Sequence, residues 1–200
     1  MTDLRRFWPD RLEDGLRERL EASYGDSRRG YHDLRHLREV LEHVDELVGP
    51  GDPAREAVLL AAWFHDAEYD GRPDDEERSA RLAEDSLEQP LGSRLAGEVA
   101  RLVRLTATHR PAEDDTSGQV LCDADLAILA ARPERYTDYV DGVRREHAHV
   151  KDADFAAGRA AVLRDLLAKP TLFHTAVARQ RWEARARENV EAELSSLTGG

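Results

Sequence analysis

Lysine is almost missing from this 200-residue chain: all but Lys151 and Lys169 of its 29 basic residues are arginine. The skew runs through the whole length, so no arginine is marked by its type alone as an anion contact. Cysteine is scarcer still. Cys122 stands alone, which excludes an internal disulfide, fits a reducing compartment and suggests a packing role for the thiol. No apolar run exceeds the eight residues Ala57 to Phe64, and none follows Arg5 and Arg6. A membrane-crossing helix needs about 20 such residues, so neither a spanning helix nor a secretory leader is expected, and the expected location is cytoplasmic. Positive charge is also in deficit, 29 basic against 41 acidic residues for a net charge of −12. That balance repels a phosphate backbone over most of the surface and argues against nucleic acid as a partner. A small anion in a pocket is not excluded, because a bound cation and a few arginines set the local field.

Alternating β-branched runs, internal repeats and low-complexity segments are absent as well. Nearly every segment instead carries apolar residues at i, i+3 and i+4, which predicts an all-α fold. The length suits one domain over residues 1–200, a helical bundle of about eight to nine helices. The first is predicted over Asp10 to Tyr24, the second over Leu34 to Val48, and a third, apolar around much of its girth, over Pro53 to Tyr69. A fourth runs from Asp74 or Asp75 to Leu87 and a fifth from Ser93 to Thr108. Pro111 to Gly118 reads as a loop, followed by a sixth helix holding Asp125 to Ala131. Pro133 starts a seventh through His149, and the last two cover Ala153 to Lys169 and Thr171 to Leu197.

The third helix ends by presenting His65 and Asp66 side by side. Burying an imidazole next to a carboxylate is costly unless something compensates, and a divalent cation bound by both does so. His36 and Asp125 sit against apolar helical neighbours and could complete such a site. Each also has a plainer reading: His36 as a hydrogen-bonded core histidine, the doublet as a helix C-terminal pair, Asp125 as a helix N-cap.

The order His36, His65-Asp66, Asp125 resembles the HD-domain superfamily of metal-dependent phosphohydrolases, and in particular its compact bacterial branch. The segments that carry the resemblance are Tyr31 to His36, Trp63 to Asp70, Glu76 to Ala80, Thr106 to His109, Asp125 to Leu129 and Ala186 to Asn189, within a core of about 24–194. The resemblance implies that His36, His65, Asp66 and Asp125 hold one divalent cation, Mn2+, Mg2+, Fe2+ or Co2+. It favours Asp125 over Asp123 as the fourth ligand, because the family's last aspartate precedes a Leu-rich turn. It implies hydrolysis of a nucleotide or another small phosphoester or pyrophosphate. Asp70 matches the place of a water-positioning carboxylate, with Glu76 a weaker candidate.

His109 could donate a proton to a leaving group or merely cap a helix end. His32, four residues before His36, could belong to a two-histidine zinc pair, but the glutamate of the His-Glu-x-x-His motif is missing. It is therefore placed beside the metal ligands or against substrate. Arg144 and Arg159, with Arg145 and Arg185 behind them, could line an anionic pocket or simply form solvated helix faces. The expected partner is a small phosphorylated metabolite, foremost a nucleotide, with a homodimer left open. His147, where relatives often carry Tyr, motivates an alternative: a metal- and nucleotide-binding helical sensor that does not cleave its ligand.

Overall fold

The helical periodicity translates into nine α-helices and two short 3-10 helices in the computed structural model, which describes residues 4–199; no strand occurs among them. Residues 1–3 and 200 of the expected domain lie outside the described residues. The helices are α1 (Asp14–Tyr24), α2 (Leu34–Leu47), α3 (Arg55–Phe64), α4 (Asp75–Leu91), α5 (Ser93–Thr106), α6 (Thr116–Leu126), α7 (Pro133–Glu146), α8 (Asp152–Ala168) and α9 (Ala176–Thr198). Among the described residues no helix is long and apolar enough to cross a membrane.

Helix α3 is central because every residue from Ala57 to Phe64 is apolar and buried, so it can pack on α2, α4, α5 and α6 at once. These elements, with α1, enclose the larger of two apolar clusters. The smaller joins Tyr31, the 3-10 turn Ala127–Ala130, α7, the buried face of α8, Leu172, Phe173 and α9. The expected metal ligands sit where the two clusters meet.

Several boundaries differ from the periodicity. Helix α1 starts at Asp14, since residues 9–12 form a turn that still buries Leu12. Helix α3 ends at Phe64 rather than Tyr69. The chain leaves it in a tight turn whose carbonyls are taken by Arg29, which donates to Asp66 O and Ala67 O, and by the Ser23 hydroxyl. Helix α4 runs past Leu87 to Leu91 and stops at Gly92, whose φ of 86° suits glycine. The predicted loop Pro111 to Gly118 contains the start of α6, because the Asp115 side chain caps the Gly118 amide at 2.9 Å. Asp125 thus falls in the last turn of α6 rather than at the start of a helix. Helix α9 begins at Ala176, after a linker whose amides are satisfied by side chains: Glu183 accepts from Leu172 and Phe173, and Asp123 from His174 and Thr175.

Helix α7 approaches the loop before α2 with no side chain between the backbones. A Cβ on Gly30 would lie 2.2 Å from Gly142 O, and one on Gly142 would lie 2.7 Å from Gly30 O. Only glycine fits either place. This contact brings Glu146, the last residue of α7, under the amides of Gly30, Tyr31 and His32, which donate to its Oε1 at 2.9, 2.8 and 3.0 Å.

Candidate metal centre

Each candidate ligand is delivered by a helix end or a first turn. His36 lies in the first turn of α2, which starts sharply because Asp33 caps the amides of Arg35 and His36. His65 is the residue that closes α3, and Asp66 follows it into the turn. His36 and His65 are each 1% exposed, so both imidazoles are inside the molecule.

Their Nε2 atoms face one another at 3.0 Å. His65 Nδ1 lies 2.8 Å from Ala62 O, which places the ring proton on Nδ1 and leaves the Nε2 lone pair directed at the cluster. Asp66 Oδ2 is 3.4 Å from His36 Nε2 and 3.1 Å from His65 Nε2; Asp125 Oδ1 is 3.3 and 3.7 Å from the same two atoms. The donor atoms of His36, His65 and Asp66 all lie within 4.8 Å of one another. Ligand atoms about 2.1 Å from a shared ion stand about 3 Å apart at right angles and about 3.4 Å apart at tetrahedral angles, so the spacing fits a divalent cation. So does the chemistry of the set, with two imidazoles and two carboxylates and no arginine or lysine ion-paired to either carboxylate among the described residues.

Charge follows from this packing. Burial pushes the His36 imidazole down, but its hydrogen bonds with Asp125 and Asp66 outweigh that and carry it up to about 10. Burial likewise pushes both carboxyls up, and the neighbouring imidazoles overcome it: Asp66 and Asp125 are held well below the usual carboxylate range. Protons and a cation compete for these lone pairs.

The remaining predicted residues fall in different places. His109 reaches the cluster: its Nε2 lies 2.8 Å from Asp125 Oδ2. It is also the only non-glycine among the described residues with a left-handed backbone, φ 49°, a conformation that costs about 1 kcal/mol and recurs at functional turns. His32 packs against the His36 ring and over Tyr69, and its Nδ1 bonds Glu146 Oε2 at 2.8 Å, so it stands beside the ligands rather than pairing with His36 on a metal.

Asp70 does not touch the cluster. It is exposed, its carboxylate pairs with Arg78 at 3.2 Å, and it lines a separate recess with Arg28 and Arg29. Glu76 lies in the first turn of α4, half-buried and without contact to the ligands. Arg144 is spent on local structure, donating to His147 O, Val150 O and Asp152. Arg159 does line the recess beside Asp125, but its charge is met by Glu193 at 2.7 and 3.0 Å. Asp123, the rival of Asp125, is fully buried and faces away, accepting the His174 and Thr175 amides at 2.7 Å each. Burial pushes the thiol of Cys122 upward, in keeping with a packing role.

Two residues that matter here had not been singled out. Glu146 gathers three amides, His32 and the Tyr69 hydroxyl, the last at 3.2 Å, yet in sequence it closes an Arg-Arg-Glu run that reads as a solvated face. Tyr31 stands within a segment that carried the resemblance, and its motif position was the available signal. Comparison with protein-family models, curated proteins and solved structures gave no match to this chain, so the reading of the cluster rests on its geometry.

Proposed function

We propose that the protein is a metal-dependent phosphohydrolase acting on a nucleotide or another small phosphoester or pyrophosphate, with one divalent cation held by His36, His65, Asp66 and Asp125. The observation that carries this reading is the pair of buried Nε2 atoms 3.0 Å apart with two carboxylates around them and, among the described residues, no arginine or lysine ion-paired to either one. A cation there supplies Lewis-acid activation of water and of a phosphoryl oxygen.

The chain's own residues do the rest. His109 fixes the orientation of Asp125 through Oδ2. His32, with Nδ1 tied to Glu146, keeps Nε2 available to exchange a proton with the ester's leaving oxygen, since it lines the recess on which Asp125 opens.

Metal analysis of the purified protein together with phosphate and pyrophosphate release across a nucleotide and phosphoester panel tests the proposal. Stoichiometric Mn2+, Fe2+ or Co2+ with turnover that disappears in Asp66→Ala is the expected result; no release by loaded protein overturns it. One observation favours a second reading: Asp70, expected to position the attacking water, is committed to Arg78. A site without that carboxylate suits a sensor that binds a nucleotide through the metal without cleaving it. Metal-dependent nucleotide binding with no turnover selects this alternative.

A further inference from the structure

Asp125 and His109 open onto a recess of about 320 Å³. Leu126, Ile128, Leu129, Val143, Val162 and Leu166 give it an aliphatic wall. Val162 is 53% exposed, one of two large hydrophobic side chains left in solvent among the described residues. A protein loses little by making Val162 polar, so an apolar side chain kept there, beside a lining whose other aliphatic residues are buried or half-buried, is suited to an apolar ligand group.

The same recess offers hydrogen-bond donors. The Tyr31 hydroxyl is buried and has no hydrogen-bond partner in the fold. Such a group lowers stability unless a ligand or water completes it. The ring of Tyr139 stands 4.6 Å from that of Tyr31, edge to face, and both residues line the recess. The Tyr139 oxygen accepts from Arg159 Nη2 at 2.7 Å, which uses a lone pair and leaves the phenolic proton uncommitted. Arg159, matched by Glu193, therefore acts as a brace for Tyr139 rather than as a free cation.

We propose that Tyr31 and Tyr139 are a donor pair that recognises substrate, hydrogen-bonding oxygens of a phosphoester whose apolar organic group lies on the aliphatic wall. This rests on the phosphohydrolase reading of the neighbouring cluster and narrows it. The two phenolic donors suit the anionic and ester oxygens of a phosphoester, which only accept. The aliphatic side chains of the recess outnumber Thr108, Asp165 and Lys169, which also line it, and they answer neither the donors nor the acceptors on the edge of a nucleobase. The class of substrate favoured is thus an alkyl or aryl phosphoester.

Titration calorimetry of the full-length, Mn2+-loaded protein with phenylphosphonate and with methylphosphonate tests the pair. Phenylphosphonate is expected to bind more tightly. Tyr31→Phe is expected to weaken it by about tenfold, the size of a lost hydrogen bond to a charged group, without lowering the melting temperature or the Mn2+ content. A purely structural Tyr31 would leave affinity unchanged. Val162→Asn, at an exposed position that does not threaten folding, is expected to remove the preference for the phenyl group while sparing methylphosphonate.

Parent protein that hydrolyses p-nitrophenyl phosphate and binds phenylphosphonate, with Tyr31→Phe and Tyr139→Phe indistinguishable from it, overturns the donor pair and leaves the hydrolase reading standing. Parent protein that neither binds the phosphonates nor releases phosphate overturns both.

Discussion

The turn after α3 supplies carboxylates to two groups that meet opposite fates. Glu68, Asp70 and Asp75 converge on one cation of the protein itself: Arg78 pairs with Glu68 at 3.0 Å and Asp70 at 3.2 Å, and with Asp75, which also caps the amides of Asp70 and Arg72. Asp66, just before them, joins Asp125 at a place where, among the described residues, only imidazoles pair with either carboxylate. The first group is complete as folded, and its charges hold the start of α4 in place. The second has donor atoms aimed at a shared point, at the spacing that ligands of one ion adopt. In a chain with 41 acidic residues, what separates a structural carboxylate from a candidate ligand is the identity of its neighbours, since its own type and burial do not decide.

Asp66→Ala is the harshest test of that contrast. Loss of an outer partner of a metal ligand costs about 10- to 100-fold, and removal of a ligand is expected to exceed this, with metal content and phosphate release falling together while circular dichroism stays helical. Retained stoichiometric metal would dissolve the distinction. His109→Ala should be milder, within that 10- to 100-fold range in metal affinity, because Asp125 keeps its place on α6 but loses the bond to Oδ2.

Acid titration sharpens the comparison from a third carboxylate, Glu146. Burial pushes its carboxyl up, but the bond with His32 and the amides of Tyr31 and His32 outweigh it and hold it at about 2, below its ordinary 4.5. A depressed carboxyl stabilises the fold fully above its unfolded value and loses that contribution as pH falls from about 4.5 towards 2, on the order of 3 kcal/mol in all. Chemical denaturation of the parent and Glu146→Gln across that window should converge as pH drops. Parallel curves would show that Glu146 is not coupled to folding.

The smallest effect is expected for Asp70→Asn, within about 0.5 kcal/mol in stability and without change in metal content, since it removes one exposed partner of Arg78. Loss of metal in this variant would return Asp70 to the site.

The all-α architecture was legible because a 3.6-residue apolar stripe is written in consecutive residues, as in Leu37, Leu41 and Val44 of α2, all of them buried. The juxtaposition of His36, His65, Asp66 and Asp125 was anticipated through the family resemblance, since no local pattern states that three separate helices meet. What escaped was decided by tertiary partners. Asp123 and Asp125 look alike in sequence and differ in what their side chains face, two linker amides or three imidazoles. Asp70 was misplaced because the turn after α3 carries it to Arg78, a contact eight residues away in sequence that charge pattern alone does not select. The start of α6 was hidden because a helix capped by Asp115 through Gly118 reads as a string of loop formers until that amide is accounted for.

The bare backbone crossing of Gly30 and Gly142 has a consequence for how this site could be disabled. Behind it stand Glu146, His32 and Tyr139, all carried by the same two segments, and none of them would be altered by a change at the crossing itself. A single methyl at either glycine is the thinnest wedge available: it would lever α7 off its seat and open the chamber from the rear, while every side chain that meets a ligand kept its identity.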